Sequence, residues 1–397
     1  MTLPQRVLLL DNLLMWLGFF MIIPLITVHF VSGLGWAAGA IGLVLAVRQL
    51  VQQGFTVVGG MLGDRFGLKP LICLGLLVRS LGFASMAFAD TIPLLMASAV
   101  FAALGGALFD APKSAAIVLL TPPEQRPRFY ALQGVTSNVG MALGPLIGTL
   151  LIPYGFQAVS FMGAACYVLS LVFSFLMLPS MKVTEKKPKG STFQGLKMAL
   201  QDRPFIQFQT IQMGFFFLWV QVNVALMLHA TQHGGTSLTA WVYGVYAGFT
   251  SVLQYPIMKY ASKKWSSQTL LAAGVASMAL GMGLMGFTHE PLTILLCTAV
   301  FAFGNLLAAP SQQTLIAGLT PPERAGTYLG VAAFPLAIGG FLGNALGGAM
   351  FDFGKAIHFV TLPWVVFFVV GSITAVLIYQ FRATQAQKEE PAASTAV

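Results

Sequence analysis

The sequence predicts an all-α membrane protein, with twelve transmembrane helices arranged as two pseudo-symmetric six-helix bundles. Three observations carry this expectation. The 397 residues are 57% hydrophobic and only 8% charged, against about 25% charged in a soluble domain. The apolar residues gather into runs close to the roughly 20 residues that cross a bilayer as helix. The pentapeptide LTPPE occurs twice, from Leu120 and from Leu319, 199 positions apart.

Twelve runs qualify as spans: about 7–31, 38–60, 70–89, 93–118, 128–152, 157–179, 205–230, 237–260, 268–287, 292–318, 327–350 and 361–382. Proline and glycine are frequent within them, as membrane helices tolerate. The run from Val7 is too long for a cleavable signal and lacks a small-residue cleavage site. Cys73, Cys166 and Cys297 sit inside apolar runs with no metal-ligand spacing, and read as small hydrophobes.

The basic residues set the orientation. With the N-terminus in the cytoplasm, Arg6, Arg65, Lys69, Arg126, Arg128, Lys197, Arg203, Lys259, Lys263 and Lys264 fall at the cytoplasmic face. So do Lys182, Lys186, Lys187, Lys189, Arg324, Arg382 and Lys388, while Lys355 alone falls outside. This positive-inside bias accounts for the net charge of +9 without a polyanionic ligand, so no nucleic-acid partner is expected. The five histidines, His29, His229, His233, His289 and His358, lie near outer span ends and read as interfacial or loop residues.

The domain organisation follows from the longest polar stretch. Residues 1–180 form the first bundle, 181–204 a cytoplasmic linker, 205–382 the second bundle, and 383–397 a polar, disordered cytoplasmic tail. Both LTPPE copies fall in equivalent cytoplasmic turns, where Pro-Pro ends one helix and the glutamate opens the next. Other matches keep the register: AVFA at Ala99 and Ala299, and Gly140, Gly144 and Gly148 against Gly339, Gly343 and Gly347. Six spans per copy bring both halves into the membrane from the same side, a parallel repeat. Two such bundles face to face enclose a central cavity, and rocking them exposes it to alternate sides. A secondary transporter is expected. No Gly-x4-Gly-Lys-Ser/Thr loop for ATP is present in the sequence.

GMLGDRFGLKP, Gly60 to Pro70, is placed in the cytoplasmic turn between spans two and three. It resembles the Gly-x3-Asp-Arg-x-Gly-x-Lys signature of the major facilitator superfamily. Gly60 allows close helix approach, and Asp64 meets a helix N-terminus or a cation of the other half. Arg65 and Lys69 meet lipid headgroups, and Gly67 completes the motif. In that family the segment is a latch favouring the outward-facing state. At the equivalent place the second half carries Lys263 in place of Asp64, leaving one intact copy.

GMALGPLIG in span five, with Gly140, Gly144, Pro145 and Gly148, resembles the motif of members that work as antiporters. It also fits generic small-residue packing. GFFMIIP from Gly18 resembles the first span of the twelve-span drug:proton antiporters. Stretches from Asp11, Arg48, Phe109 and Gly354 resemble one multidrug exporter of that family along most of the chain. The arginine that many such antiporters carry in span four is absent from MASAVFAALGG. The resemblance implies proton-coupled export of lipophilic or cationic drugs by alternating access, from a bacterial plasma (inner) membrane. The implied partners are a small lipophilic substrate, protons and membrane lipids. No cofactor or metal is expected, and a monomer is.

Ionisable residues at membrane depth are costly and mark function by default. All five lie in the first half: Asp11, Arg48, Arg79, Asp110 and Lys113. Asp110 in span four is the first candidate for proton carrier, with Lys113 three residues on as the neighbouring cation. The same residues also fit a static ion pair beside Pro112. Asp11 in span one is the second candidate, and also fits a solvated interfacial position. Arg48, with Gln49, Gln52 and Gln53, forms a polar stripe that must face protein or water, and is placed to neutralise either aspartate. Arg79 in span three is kept among the proton-coupling candidates, although a structural role fits it better. Substrate contacts are expected from Asn138, Gln212, Trp219, Asn223, Tyr243, Tyr246 and Asn305, although each aromatic also fits a lipid-facing position. Rival readings are a transporter of a sugar, metabolite, siderophore or lipid, and a non-transporting sensor. An enzyme finds no metal cluster or triad in the sequence.

Overall fold

The computed structural model describes residues 1–122, 125–181, 192–321, 328 and 330–381. Nearly all of these are helical. Span one is Leu3–Ile26, prolonged by wider turns over Thr27–Gly33. Spans two to six are Ala38–Phe66, Leu68–Ser85, Ile92–Leu120, Arg126–Leu151 and Phe156–Met177. Spans nine to twelve are Ser267–Met285, Pro291–Gly318, Phe334–Ala356 and Leu362–Gln380. Between them runs a 46-residue stretch, Arg203–Gly248. It holds two spans, because Gly235, at φ 65° and ψ −163°, breaks the helix. Span seven is therefore Arg203 to the Gly235 break. Span eight runs on through Phe249–Leu253 to the end of Gln254–Lys264.

Proline stands in the first turn of spans four, five, seven, ten, eleven and twelve. There its missing N–H would have had no partner in the helix. Asp202 caps span seven, accepting from the Phe205 N–H at 3.2 Å. Large apolar side chains stay exposed on the outer surface, among them Leu150, Phe175 and Ile373, as a lipid-facing wall requires.

Three expectations change. Span two does not stop near residue 60 but continues to Phe66. GMLGDRF is thus helical, and the turn falls on Gly67, whose φ of 98° favours glycine. The linker contains a helix, Thr192–Gln201, whose Ala199 is buried against Phe205, Tyr328 and Val331. Close helix approach belongs to Gly59 and Gly63 rather than Gly60. A side chain at Gly59 would strike the Ala107 carbonyl and one at Gly63 would crowd Pro112, whereas at Gly60 it would reach Ala111 at an ordinary 3.5 Å. The Asp64 side chain, Pro123, Glu124, the second LTPPE beyond Pro321, the linker lysines from Lys182 to Lys189 and the tail lie outside the described residues.

The repeat is written into the packing. Gly75 lies against the Gly105 carbonyl, and 199 residues later Gly274 lies against that of Gly304. Gly82 meets Ala102, and Gly281 meets Phe301, at the same offset. Gly140, Gly144 and Gly148 of span five press on span one at Trp16, Leu17 and Met21. Gly339, Gly343 and Gly347 of span eleven press likewise on span seven at Met213, Phe217 and Gln221. Each pair of helices crosses where only hydrogen occupies the Cβ position.

The halves meet chiefly through spans two and eleven, and spans five and eight. Gly42 approaches the Asn344 carbonyl, and Gly348 that of Ala38. The Asp352 carboxylate accepts from the N–H groups of Ala38 at 3.2 Å and Gly39 at 2.6 Å. One half thereby caps a helix N-terminus of the other. Thr27 donates to the Asn223 carbonyl at 3.1 Å. The contacts of Gly42, Gly348, Asp352 and Thr27 lie on the side remote from the N-terminus, the far side.

Candidate functional site

Between the halves lies a cavity of about 380 Å³, within the range of drug-sized sites. Span one contributes Asn12, Met15, Trp16, Phe19 and Phe20; span two Arg48, Gln49, Gln52 and Gln53; span three Arg79. Span four adds Asp110, Lys113 and Ser114, and span five Gln133 and Met141. The second half supplies Trp219, Val222, Asn223, Tyr246 and Leu336. The lining runs from mid-span towards the face that carries the N-terminus. Beyond it the far-side seam closes the molecule.

The polar groups form one connected wall. Asp110 accepts from Gln52 Nε2 at 3.0 Å, and Gln52 Oε1 accepts from Arg48 Nη1 at 2.9 Å. Arg48 Nη2 donates to Gln49 Oε1 at 3.0 Å. Lys113 does not pair with Asp110; its Nζ donates to Asn12 Oδ1 at 2.7 Å. The Asn12 amide nitrogen holds span five through the Gln133 carbonyl, Thr136 Oγ1 and Ser137 Oγ, at 2.8–3.0 Å. The guanidinium carbons of Arg48 and Arg79 lie 5.0 Å and 5.5 Å from the Phe19 ring centre, in cation–π range. Tyr167 and Phe83 flank Arg79 further. Across the cavity Trp219 Nε1 donates to the Tyr246 hydroxyl at 3.1 Å, and the Tyr243 hydroxyl to Asn223 Oδ1 at 2.6 Å.

Two expectations about charges change. Asp11 is not at a solvated interface or on the cavity. It is fully buried against span six, accepting from Ser170 at 2.6 Å and Ser174 at 2.5 Å. Arg79, read as structural, lines the cavity. Of the residues expected to touch substrate, Trp219, Asn223 and Tyr246 line the cavity, and Tyr243 stands behind Asn223. Gln212, Asn305 and Asn138 do not line it. Gln212 is fully buried, and its amide nitrogen and oxygen find no partner among the described residues. Asn12, Gln133, Trp16 and Phe19 were missed, while Gln52 lines the cavity as part of the Arg48 stripe. Asn12 beside Asp11 in an apolar run was the available signal.

Elsewhere, His229 is not exposed. It is buried against Trp364 and hydrogen-bonds the Thr288 carbonyl at 2.9 Å, and His233 and His289 approach within 3.3 Å of each other nearby. Cys166 and Cys297 are buried and Cys73 half-buried, all three free thiols. Among the described residues no group of His, Cys, Asp and Glu is arranged to hold a metal.

Solved structures share this architecture. A POT family transporter in complex with 5-aminolevulinic acid superposes with a TM-score of 0.79, covering 94% of this chain and 95% of that one at 14% identity. A D-xylose-proton symporter gives 0.77 over 96% and 98% at 16% identity. A bacterial homologue of the human lysosomal transporter Spinster, inward-facing and unoccupied, gives 0.77 over 95% and 96% at 15% identity. At such identities the likeness is one of fold. Sequence relatives are nearer. Multidrug resistance protein MdtH of Proteus mirabilis is 39% identical over 379 residues, 95% of this chain and 94% of that protein. MdtH of Photorhabdus laumondii is 37% identical over 380 residues, 96% and 94%. The profile of the Major Facilitator Superfamily matches residues 8–344 and again 237–396. With twelve spans, a parallel repeat and a cavity between the halves, the chain belongs to the major facilitator superfamily.

Proposed function

We propose that the chain is a proton-coupled exporter of lipophilic, drug-like molecules that works by alternating access. It sits in the bacterial inner membrane as a monomer with both termini in the cytoplasm. The multidrug names of its relatives support the cargo class. The observation that carries the mechanism is the position of Asp110, the carboxylate in the wall of the cavity between the halves.

In the described state the far-side seam is closed and the cavity lies towards the cytoplasmic side. Substrate enters from the cytoplasm or inner leaflet and packs on Trp16, Phe19, Trp219 and Tyr246. Rocking the halves separates spans two and eleven and presents the cavity outward. Release and protonation of Asp110 from outside then allow return. Gln52 links Asp110 to Arg48, so a change of charge at the carboxylate is felt across spans two and four. Gly60, Asp64, Arg65, Gly67 and Lys69 belong to the opposite latch, closing the cytoplasmic side when the far side opens. Asp11, buried under two serine hydroxyls, is the second proton candidate.

The test is substrate-dependent proton movement in reconstituted vesicles with a panel of lipophilic drugs. Asp110→Asn is expected to abolish exchange against an imposed pH gradient. Wild-type rates in both Asp110→Asn and Asp11→Asn remove the proton assignment.

A further inference from the structure

The cavity wall is unequally charged. Arg48, Arg79 and Lys113 face it with Asp110 as their carboxylate counterpart, and Asp11 is turned away to Ser170 and Ser174. The hydrogen-bond partners of Arg48 and Lys113 are neutral amides rather than carboxylates. Lys113 is held by the neutral amide of Asn12, and Arg48 by the neutral amides of Gln49 and Gln52. Even Asp110 is engaged by an amide, the Gln52 nitrogen. Arg48 Nε and Arg79 Nε and Nη1 find no acceptor among the described residues, although Arg48 is 6% and Arg79 4% exposed. Buried cationic nitrogens left without an acceptor are costly. Neutral amides fix their positions and leave their charge available. Phe19 lies beside both guanidinium groups and holds them on one side of the cavity.

We propose that Arg48, Arg79 and Lys113 form an anion subsite, so that the preferred substrate is an aromatic amphiphile bearing an anionic oxo group such as a carboxylate, sulfonate or phosphate. The anion docks against the three cations that line the cavity, drawn by their charge and by charge-assisted hydrogen bonds. The aromatic body lies across the cavity on Trp16, Trp219 and Tyr246. This departs from the cationic class suggested by the aromatics alone. It rests on the cavity being the substrate site, and names what that site selects.

A matched pair of probes tests it: 8-anilinonaphthalene-1-sulfonate and N-phenyl-1-naphthylamine, which differ only by the sulfonate. Binding is measured by equilibrium titration of the full chain in lipid nanodiscs without a gradient, with empty discs subtracted. The sulfonate is expected to bind the wild type about tenfold or more tighter than the neutral probe. Arg79→Gln and Arg48→Gln should bring the ratio towards one, chiefly by weakening the sulfonate, and Arg79→Lys should restore part of it. Equal or tighter binding of the neutral probe to the wild type overturns the proposal, whatever the variants do. So does a ratio unchanged in both glutamine variants. Proton-coupled movement in vesicles is a separate readout. Its loss sinks the exporter reading, whereas loss of sulfonate preference alone sinks only the subsite.

Discussion

Asn12 ties three spans together, accepting from Lys113 and donating to three oxygens of span five. Asn12→Ala strands the buried ammonium, and is expected to cost about 1–3 kcal/mol or more, read as a lower Tm of the purified protein. Gln212 is the opposite case, a fully buried amide with no partner among the described residues. Gln212→Met keeps the shape and removes the unmet polar atoms. It should hold or raise the stability, by about 1–3 kcal/mol at most, read as an equal or higher Tm without loss of binding. These two residues show what the sequence displays at this scale. A charge in an apolar run is conspicuous, so Arg48, Asp110 and Lys113 were legible. An amide serves equally as cavity wall, helix tie or unmet group. The rotation of its helix decides which, and composition does not record it.

Helix pairing was largely legible, because the repeat fixes which spans are equivalent and small residues mark where they cross. Rotation within a pair was harder to read. Gly60 was expected to make the close approach, and its neighbour Gly59 does so, one residue and about 100° around the helix. This gives a paired prediction. At Gly144 an added Cβ would sit 2.8–3.0 Å from backbone atoms of Leu17, Met21 and Phe20 in span one. Gly144→Ala should therefore cost about 1–3 kcal/mol and impair transport. Gly60→Ala meets only ordinary contact in this state and should leave thermal stability unchanged, or gain up to about 1 kcal/mol from helix propensity. Thermal melting of both variants, with drug efflux from cells, checks the contrast. The motif around Asp64 was read as a turn because the apolar run of span two ends near residue 60. The helix continues to Phe66, with Gly63 against Pro112 of span four.

For the whole molecule, the parallel repeat was readable from the 199-residue offset, but the side on which the halves touch was not. That depends on relative positions of helices with no sequence signature. The structure places the contact at the far side and closes it with Asp352 on the N-terminus of span two. Asp352→Ala removes both acceptors. With a cap worth about 0.5–2 kcal/mol, the ratio of far-side-open to far-side-closed molecules should rise several-fold. Longer distances between spin labels on the far ends of spans two and eleven would report it, and unchanged distances would count against the cap as a lock. The bare crossing at Gly42 has a further consequence. Because the Asn344 carbonyl already occupies the space a methyl would need, alanine at that position would act as a doorstop. A single added carbon would supply a molecule jammed ajar, useful for capturing the pose that rests on the other side of the cycle.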